Sequence, residues 1–257
     1  MTTNSLISSK AVIGSNAIIG AGTLIEDDVI IGDNVKIGNN AVIANGSRIG
    51  NGVKISHGAV ISTEPQDLKF GGEITTVEIG ENTTIREFAT INRGTNHSKK
   101  TVVGKNCYIM SYVHIAHDCV IGDNVIIANA TNMGGHVEID NYANIGGLVA
   151  IHQFVKVGKY SFVGAGVKAV KDVPPYILAG GYPLSYEGLN KVGLKRKGFT
   201  QEQIDEIKNV YDLIYNSGLN VSQAVNEIKL KNNLTPEIQE ILKFISKADR
   251  GIIPYRR

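Results

Sequence analysis

The 257-residue sequence has no tryptophan, only six prolines and two cysteines, and no long apolar run. Because no segment approaches the roughly 20 apolar residues that span a bilayer, no membrane-inserted helix is predicted. Residues 1–10 lack the basic stretch and apolar core of a secretory signal. The formal net charge of +2 gives no indication of nucleic acid or an anionic membrane as a partner. These absences predict a cytoplasmic protein without nucleic-acid binding or membrane insertion.

Several motifs that define enzyme classes are also missing. The sequence has no Walker-type phosphate loop, no dinucleotide fingerprint, no serine-nucleophile motif and no cysteine pair with zinc spacing. Cys107 and Cys119 both fall at small-residue positions of the repeat described next. This placement favours core packing over a disulfide or a reactive thiol. The sequence therefore predicts neither a cofactor nor a metal.

Glycine is abundant, at 29 residues, and aliphatic residues recur at every sixth position from Ile13 to Val163. Of the 26 positions in this series, only Asp67, Glu73 and His97 are neither aliphatic nor methionine. A period of six fits neither a helix nor a single long strand, but it fits a short strand followed by a turn. Three such hexads close a triangular coil of about 18 residues, and stacked coils bury the aliphatic column. The pattern predicts a hexapeptide parallel β-helix.

Two segments interrupt the repeat. Residues 62–78 and 92–102 carry polar, glycine and proline residues at core positions, so loops are predicted there. Loops that leave a solenoid on one face often form its binding face, but a tolerated insertion is equally compatible with the sequence. Pro174 and Pro175 are predicted to end the repeat, with a linker to about Leu194.

The C-terminal part has helical signals instead of hexads. We predict a β-helix domain over residues 1–190 and a small α-helical domain over residues 191–257. Thr200 and Gln203 form a capping-box pattern ahead of a helix that ends near Gly218. Two further helices are predicted, one over Val221 to Lys231 and one that opens at Thr235-Pro236 and continues to about Gly251.

Four of the six histidines fall within 39 residues: His114, His117, His136 and His152. His136 lies 19 residues after His117, and His152 lies 35 residues after it. These separations equal one and two coils of 18 residues to within one residue, so the three imidazoles are predicted along one edge. Asp118 directly follows His117. A carboxylate beside an imidazole can fix the tautomer that general-base catalysis needs, although aspartate also commonly satisfies a turn amide. The sequence alone leaves both roles open.

A basic cluster lies near the start of the helical part, at Lys191, Lys195, Arg196 and Lys197. It is either a solvated face or a site for phosphate or for an acidic partner.

Seven segments together resemble the UDP-N-acetylglucosamine O-acyltransferase family over essentially the whole length. They are QDLK at 66–69, NRGT at 92–95, HIAHDC at 114–119, GGHV at 134–137, HQF at 152–154, DVPPY at 172–176 and GLKRKGF at 193–199. The resemblance implies left-handed winding and a homotrimer with active sites between subunits. It also implies transfer of a 3-hydroxyacyl chain from acyl carrier protein to the 3-position of UDP-N-acetylglucosamine, the first step of lipid A biosynthesis.

The resemblance further implies roles for individual residues. His117 is expected to be the general base, Asp118 its orienting partner and the Gly135 N–H the oxyanion donor. Ala165 matches the acyl-length gauge, where a small side chain suggests a longer acyl chain. The other matched positions are expected to bind the sugar, the acyl group or the nucleotide; they are Gln66, Asp67, Lys69, His114, His136, His152, Gln153, Asn190 and Arg196.

Four positions depart from the common pattern of the family. Lys197 stands where many members have a second arginine, and Val192 replaces an acidic residue near the nucleotide. Met133-Gly134 stands where Leu-Ala is common, which leaves open a UDP-linked 3-amino sugar as the acceptor.

Three alternatives share parts of the pattern. A γ-class carbonic anhydrase has the same solenoid, trimer and three-histidine edge, but it pairs two histidines four residues apart, and stoichiometric zinc would favour it. A second alternative is another hexapeptide acyltransferase that uses acetyl-CoA, or an N-acylating enzyme with a uridine-binding domain before the repeat. The third is a structural scaffold, for which His117→Ala would leave the biological activity intact.

Overall fold

In the computed structural model, which describes residues 5–230 and 234–255, most of the chain winds into a three-sided solenoid. Each coil contributes one short strand to each of three sheets, here named faces A, B and C, and each edge is named by the two faces that it joins. The winding is left-handed, and four helices follow the last strand. The predicted fold, a left-handed parallel β-helix with a small C-terminal helical part, is confirmed.

The strands are short, and most contain two residues. Face A is built from Leu6–Ile7, Leu24–Ile25, Val42–Ile43, Val60–Thr63, Thr90–Asn92, His114–Ile115, Asn132–Met133, Ala150–Ile151 and Lys168–Ala169. Face B is built from Val12–Ile13, Val29–Ile31, Ser47–Ile49, Thr76–Ile79, Lys100–Val103, Val120–Ile121, Glu138–Ile139 and Lys156–Val157. Face C is built from Ile18–Ile19, Lys36–Ile37, Lys54–Ile55, Thr84–Ile85, Tyr108–Ile109, Ile126–Ile127, Asn144–Ile145, Phe162–Val163, Ile177–Gly180 and Ser185–Leu189.

The aliphatic residue of each hexad points into the solenoid. Ile61, Ile91 and Ile115 are completely buried, and each pairs with its equivalent on the neighbouring coil. Because a two-residue strand supplies a single inward side chain, the core exists only where coils stack. Cys107 and Cys119 are free, buried thiols within this stack, which confirms their predicted packing role.

The two interruptions of the repeat are shorter than predicted. Strands occupy Thr76–Ile79 and Lys100–Val103, so the stretches without strand are 64–75 and 93–99. The prediction placed these strand ends in the loops because the polar residues before them obscured the pattern. Val77 and Val103 nevertheless point inward and are buried.

The repeat also continues past the two consecutive prolines, so the predicted linker to Leu194 is wrong. Ile177–Gly180 pairs in parallel with Phe162–Val163 and then forms an antiparallel hairpin with Ser185–Leu189. The prolines occupy a turn between coils, where no ladder hydrogen bond from their nitrogen is required. Ile177 after them is completely buried.

The helices are α1 at Lys191–Arg196, α2 at Gln201–Asn216, α3 at Val221–Lys229 and α4 at Pro236–Ser246. Both bonds of the predicted capping box are present, since Gln203 N donates to Thr200 Oγ1 at 3.2 Å and Thr200 N donates to Gln203 Oε1 at 2.9 Å. The predicted cap Thr235 makes no side-chain capping bond, and α4 ends five residues before Gly251. The predicted end of α3 at Lys231 lies outside the described residues.

The helical part packs on the end of the solenoid. The Tyr211 hydroxyl of α2 donates to the Pro175 carbonyl at 2.7 Å, and a bridge joins Asp172 to Ile252. The domain boundary at 190/191 stays a prediction. Within the described residues, no helix is both long and apolar enough to cross a membrane.

Candidate active site

The A/B edge carries histidines on three consecutive coils. His117 stacks over Gly135, and Asp118 over His136, because the strands that precede them are in register. His152 occupies the next turn along the stack, one position earlier than His117 in its own turn. The three predicted imidazoles therefore share an edge but not a position within the turn.

Asp118 is paired with His117 and held by a loop. Asp118 Oδ2 lies 2.8 Å from His117 Nδ1, with the Asp118 side chain 0% and that of His117 13% exposed. Asp118 Oδ1 accepts the backbone N–H of Thr95 at 3.0 Å and that of Ser98 at 3.2 Å. The hydroxyls of Thr95 and Ser98 also donate to this carboxylate. Because the carboxylate accepts from Nδ1–H, His117 Nε2 carries the free lone pair that a base needs.

The carboxylate of Asp118 stays ionised in this environment. Burial opposes its charge, but hydrogen bonds from Ser98, His117 and Thr95 outweigh burial and lower the pKa of Asp118 well below its ordinary value. A buried negative charge in contact with Nδ1 stabilises the imidazolium that forms when His117 takes a proton.

His136 is clamped by aromatic contacts. Its ring stacks on Phe154, with centroids 4.4 Å apart and planes 3° apart, and meets the His117 ring edge-on at 5.1 Å. Burial lowers the pKa of His136, although the Asp118 charge opposes this shift. Its Nδ1 is buried without a hydrogen-bond partner among the described residues. A neutral imidazole with an unpaired nitrogen is suited to bind a polar ligand group.

His114 and His152 flank this group. His114 lies on face A, where its Nδ1 is 2.8 Å from Thr90 Oγ1, and burial together with the charge of His117 lowers the pKa of His114. His152 Nδ1 lies 3.1 Å from the Gln153 carbonyl oxygen and must donate to it, which leaves Nε2 as an acceptor.

Gly135 is required by the position of His117. A Cβ on Gly135 would lie 2.5 Å from His117 Cε1 and 2.7 Å from Nε2. Gly135 is a buried residue, and its N–H donates to no acceptor among the described residues. Buried amides are rarely left unpaired, so this N–H is a candidate ligand-binding donor beside the base.

The first loop reaches the same edge. Burial lowers the pKa of His136, and the negative charge of nearby Asp67 opposes this shift. Asp67 Oδ1 accepts the Lys69 N–H at 3.0 Å. Gln66 and Lys69 are exposed. Asn92, just before the second loop, is hydrogen-bonded to the start of the first. Its Nδ2 donates to Thr63 Oγ1 at 3.0 Å and to the Glu64 carbonyl oxygen at 2.8 Å.

The two residues predicted to bind the nucleotide lie on the opposite side of the chain. Asn190 and Arg196 line a cleft of about 390 Å³ on face C, together with Phe162 and Leu178. Face C is the side opposite the A/B edge of the triangle. The Asn190 side chain caps α1 and donates to the Tyr160 carbonyl at 3.0 Å.

Two further positions lie away from the A/B edge. Ala165 is exposed on the C/A edge. The Nζ of Lys197 lies 4.9 Å from the centre of the Tyr142 ring, on the B/C edge.

Comparison with known proteins agrees with this architecture. The protein-family model described as "Udp N-acetylglucosamine O-acyltransferase; Domain 2" matches residues 172–253. The family model for bacterial transferase hexapeptide repeats matches residues 28–63 and 100–135. An acyl-[acyl-carrier-protein]–UDP-N-acetylglucosamine O-acyltransferase from Chlorobium phaeobacteroides is 58% identical over 193 residues, covering 75% of this chain and 73% of the relative. The chain belongs to the UDP-N-acetylglucosamine O-acyltransferase family.

Solved structures of UDP-N-acetylglucosamine acyltransferases support the same assignment. The enzyme from Bacteroides fragilis is 47% identical, with a TM-score of 0.95 over 98% of this chain and 99% of its own. The enzyme from Campylobacter jejuni is 35% identical, with a TM-score of 0.93 over 100% of this chain and 99% of its own. Family membership sets aside the carbonic anhydrase and scaffold alternatives.

In this acyltransferase family member, ligand atoms of His117, Asp118 and His136 lie within 4.8 Å of one another, a spacing that could hold a metal ion. Both carboxylate oxygens of Asp118 already accept hydrogen bonds from Thr95, and the same carboxylate accepts from His117. The absence of a metal from the chemistry stays a prediction.

Two residues of this site were missed by sequence reasoning. Thr95 lies in the NRGT segment, which marked the family but not a contact with Asp118, and Ser98 carries no signal at all. Both lie in the 93–99 loop, where the six-residue repeat gives no register.

Replacement of Asp118 by asparagine should slow acyl transfer by about 10²–10⁴-fold, because an amide cannot stabilise the imidazolium of His117. It should also lower the free energy of unfolding by about 1–3 kcal/mol at pH 7. The folded-state pKa of Asp118 is depressed, so its stabilisation is fully present above the unfolded pKa near 3.9 and is lost as pH falls from there through the lower folded-state pKa. Urea unfolding in steps from pH 7 to about pH 2 follows this loss.

Asp123 provides the matched control, because its Oδ1 accepts a backbone N–H of Lys105 at 2.7 Å in another turn. Asp123→Asn should leave turnover within about two-fold, as expected for a carboxylate that only satisfies a turn. A stability difference between wild type and Asp118→Asn that stays constant from pH 7 to about pH 2 would contradict the charged, hydrogen-bonded state of Asp118.

Proposed function

We propose that this protein transfers a 3-hydroxyacyl chain from acyl carrier protein to the 3-hydroxyl of UDP-N-acetylglucosamine, the first step of lipid A biosynthesis. The observation that carries the proposal is the His117–Asp118 pair, with His117 stacked on Gly135, a buried residue whose N–H donates to none of the residues that the structure describes. A base and an oxyanion donor then lie in adjacent turns of one edge. The names of the relatives support the choice of acyl donor and acceptor.

The chemistry follows from these groups. His117 Nε2 takes the proton of the sugar 3-hydroxyl as that oxygen attacks the thioester carbonyl carbon. A C–O bond forms, and the negative charge that develops on the carbonyl oxygen is accepted by the Gly135 N–H. When the tetrahedral intermediate collapses, the C–S bond breaks and the thiolate takes the proton from the His117 imidazolium. Asp118 stabilises that imidazolium throughout.

The remaining site residues divide by position. Asp67, Gln66 and Lys69 on the first loop, together with His114 and His136, are proposed to hold the sugar beside His117. His152 and Gln153, one coil further along the edge, are proposed to contact the substrates beyond the reacting centre. The neutral state favoured at His114 and His136 by burial allows each imidazole both to donate and to accept.

We further propose a homotrimer with each site between two subunits. Asn190 and Arg196 lie on face C, whereas the histidines lie on the opposite edge of the same chain. The solenoid core separates the two groups, so one nucleotide sugar can contact both only if they come from different protomers. A closed trimer brings face C of one chain to the A/B edge of the next.

The acyl carrier protein and the compartment complete the proposal. The acidic carrier would be attracted by the basic cluster at Lys191, Lys195, Arg196 and Lys197, all of which are solvent-accessible. We place the protein in the cytoplasm, with no nucleic-acid partner and no membrane insertion.

A transfer assay tests the function. Purified protein should acylate UDP-N-acetylglucosamine with 3-hydroxyacyl carrier proteins of graded chain length, and the 3-amino analogue of the sugar is assayed in parallel. Ester formation with the hydroxyl sugar supports the proposal. Transfer only to the 3-amino sugar would replace the O-acyl product by an amide, and no transfer from any acyl carrier protein would refute the proposal.

Ala165→Met should shift the preferred acyl chain to a shorter length. A larger side chain on this exposed edge removes the space for terminal methylenes, each worth about 0.8 kcal/mol of apolar contact. The ratio of kcat/KM between the longest and shortest good donors should fall at least about ten-fold, measured by competition. Val12→Met, also at an exposed position but on face B near the start of the solenoid, is the control, and an equal shift in both variants would remove Ala165 from its role as gauge.

A further inference from the structure

The 93–99 loop brings a fifth histidine to the A/B edge. The His97 ring centre lies 4.6 Å from that of His136, with the planes at 79°. A hydrogen bond from the backbone holds His97 in the loop, because the His97 backbone N–H donates to Thr95 Oγ1 at 3.2 Å. Thr95 is the residue that holds the Asp118 carboxylate, so His97 is anchored to the same network as the base.

His97 differs from His114, His117 and His152 in its free ring nitrogens. The Nδ1 atoms of His114, His117 and His152 each have a polar partner within the chain. Neither ring nitrogen of His97 is hydrogen-bonded to any of the residues that the structure describes, and the side chain is exposed. An exposed imidazole with two unused nitrogens, packed against a site residue, is available to a ligand.

The position of His97 favours the acceptor sugar over the acyl donor. Neighbouring Asn96 donates to Glu73 Oε1 at 2.6 Å, which joins this loop to the one that carries Asp67. The His97 ring contacts that of His136, and Asp67 is near enough for its negative charge to raise the pKa of His136 against the larger effect of burial. The two loops thus meet beside His136, and the proposed function places the sugar there.

We propose that His97 is a further substrate-binding residue of this site, one that hydrogen-bonds the UDP-linked amino sugar and not the acyl carrier protein. The inference rests on the proposed function. In the sequence, His97 is distinguished only as one of the three residues of the six-residue series that are neither aliphatic nor methionine. A structural role for the ring is limited to its edge contact with His136.

The test combines kinetics with direct binding. His97→Ala should raise KM for UDP-N-acetylglucosamine about 5- to 20-fold, the loss of one or two hydrogen bonds, with kcat and KM for the acyl carrier protein within about two-fold. His97→Gln, which keeps a donor and an acceptor, should recover part of the loss. Calorimetric titration with UDP-N-acetylglucosamine should show the same weakening without any turnover.

His57 is the matched control, because it is also exposed and also meets an aromatic ring edge-on, at 5.5 Å from Phe88 on the C/A edge. His57→Ala should leave kcat, KM for UDP-N-acetylglucosamine and KM for the acyl carrier protein unchanged. If His97→Ala binds the sugar as tightly as wild type, or if only its KM for the acyl carrier protein rises, the inference about His97 is wrong. Acyl transfer by the wild-type protein would still support the proposed function. If wild type transfers no acyl chain, the function fails, and the calorimetric comparison alone decides whether His97 binds the sugar.

Discussion

His117→Ala should lower kcat/KM for acyl transfer by about 10²–10⁴-fold, the contribution typical of a positioned general base. The loss should appear mainly in kcat, because the lone pair of Nε2 acts on the proton as the C–O bond forms. Folding should be little affected, since Asp118 keeps the hydrogen bonds from Thr95 and Ser98 when the imidazole is removed. Steady-state kinetics with saturating acyl carrier protein, together with a thermal melt of each variant, measure both expectations.

Two controls sharpen this experiment. His57→Ala removes an exposed imidazole from the C/A edge and should leave transfer unchanged. His117→Gln keeps a polar side chain of similar length but has no basic nitrogen, so it should be as slow as the alanine variant. Turnover within a few-fold of wild type in His117→Ala would mean that another group takes the proton, and His136 would be the first residue to examine.

The solenoid and its histidine edge were predictable because both follow from one period. A six-residue repeat over Ile13 to Val163 has few physical solutions, and stacking converts a separation of about 18 residues into adjacency. The same register, applied strictly, gives the finer result as well. Ile115 pairs with Met133, so Gly135 takes the backbone position next to His117 in the stack, and His136 takes the one next to Asp118.

The partners of Asp118 could not be predicted in this way. Thr95 and Ser98 come from a loop that leaves the repeat, and a loop without periodicity has no register from which to infer a contact. The strand after the prolines was missed for a related reason. Its existence depends on pairing with Phe162–Val163, whereas local sequence favours a chain break there.

The placement of Asn190 and Arg196 shows a further limit. Motif resemblance assigned them to the same substrate as His117, but a single chain holds the two groups on opposite sides of the solenoid. Sequence reports which residues belong to a site but not which protomer supplies them. The topology of one chain, by keeping them apart, carries the argument for an oligomeric site.

Gly135→Ala should cost at least about 10² in kcat although it adds one methyl group. The new Cβ would lie within 2.5–3.0 Å of three atoms of the His117 ring. The ring cannot move without weakening its 2.8 Å bond to Asp118, and a displacement of about 1 Å from the reacting geometry is enough for a 10²-fold loss. The methyl group also crowds the N–H that is proposed to bind the oxyanion.

Gly164→Ala is the control for this substitution, because its Cβ would meet only the Ala179 carbonyl oxygen at 3.4 Å and the Gly180 Cα at 3.7 Å. Gly164→Ala should melt close to wild type. Gly135→Ala should melt about 2–12 °C lower, because overpacking against the His117 ring costs about 1–3 kcal/mol and each kcal/mol lowers the Tm by about 2–4 °C. The decisive comparison is kcat at equal folded fraction. If Gly135→Ala turned over as fast as Gly164→Ala, the imidazole would have an alternative position that still serves as base, and the contact between Gly135 and His117 would have no part in catalysis.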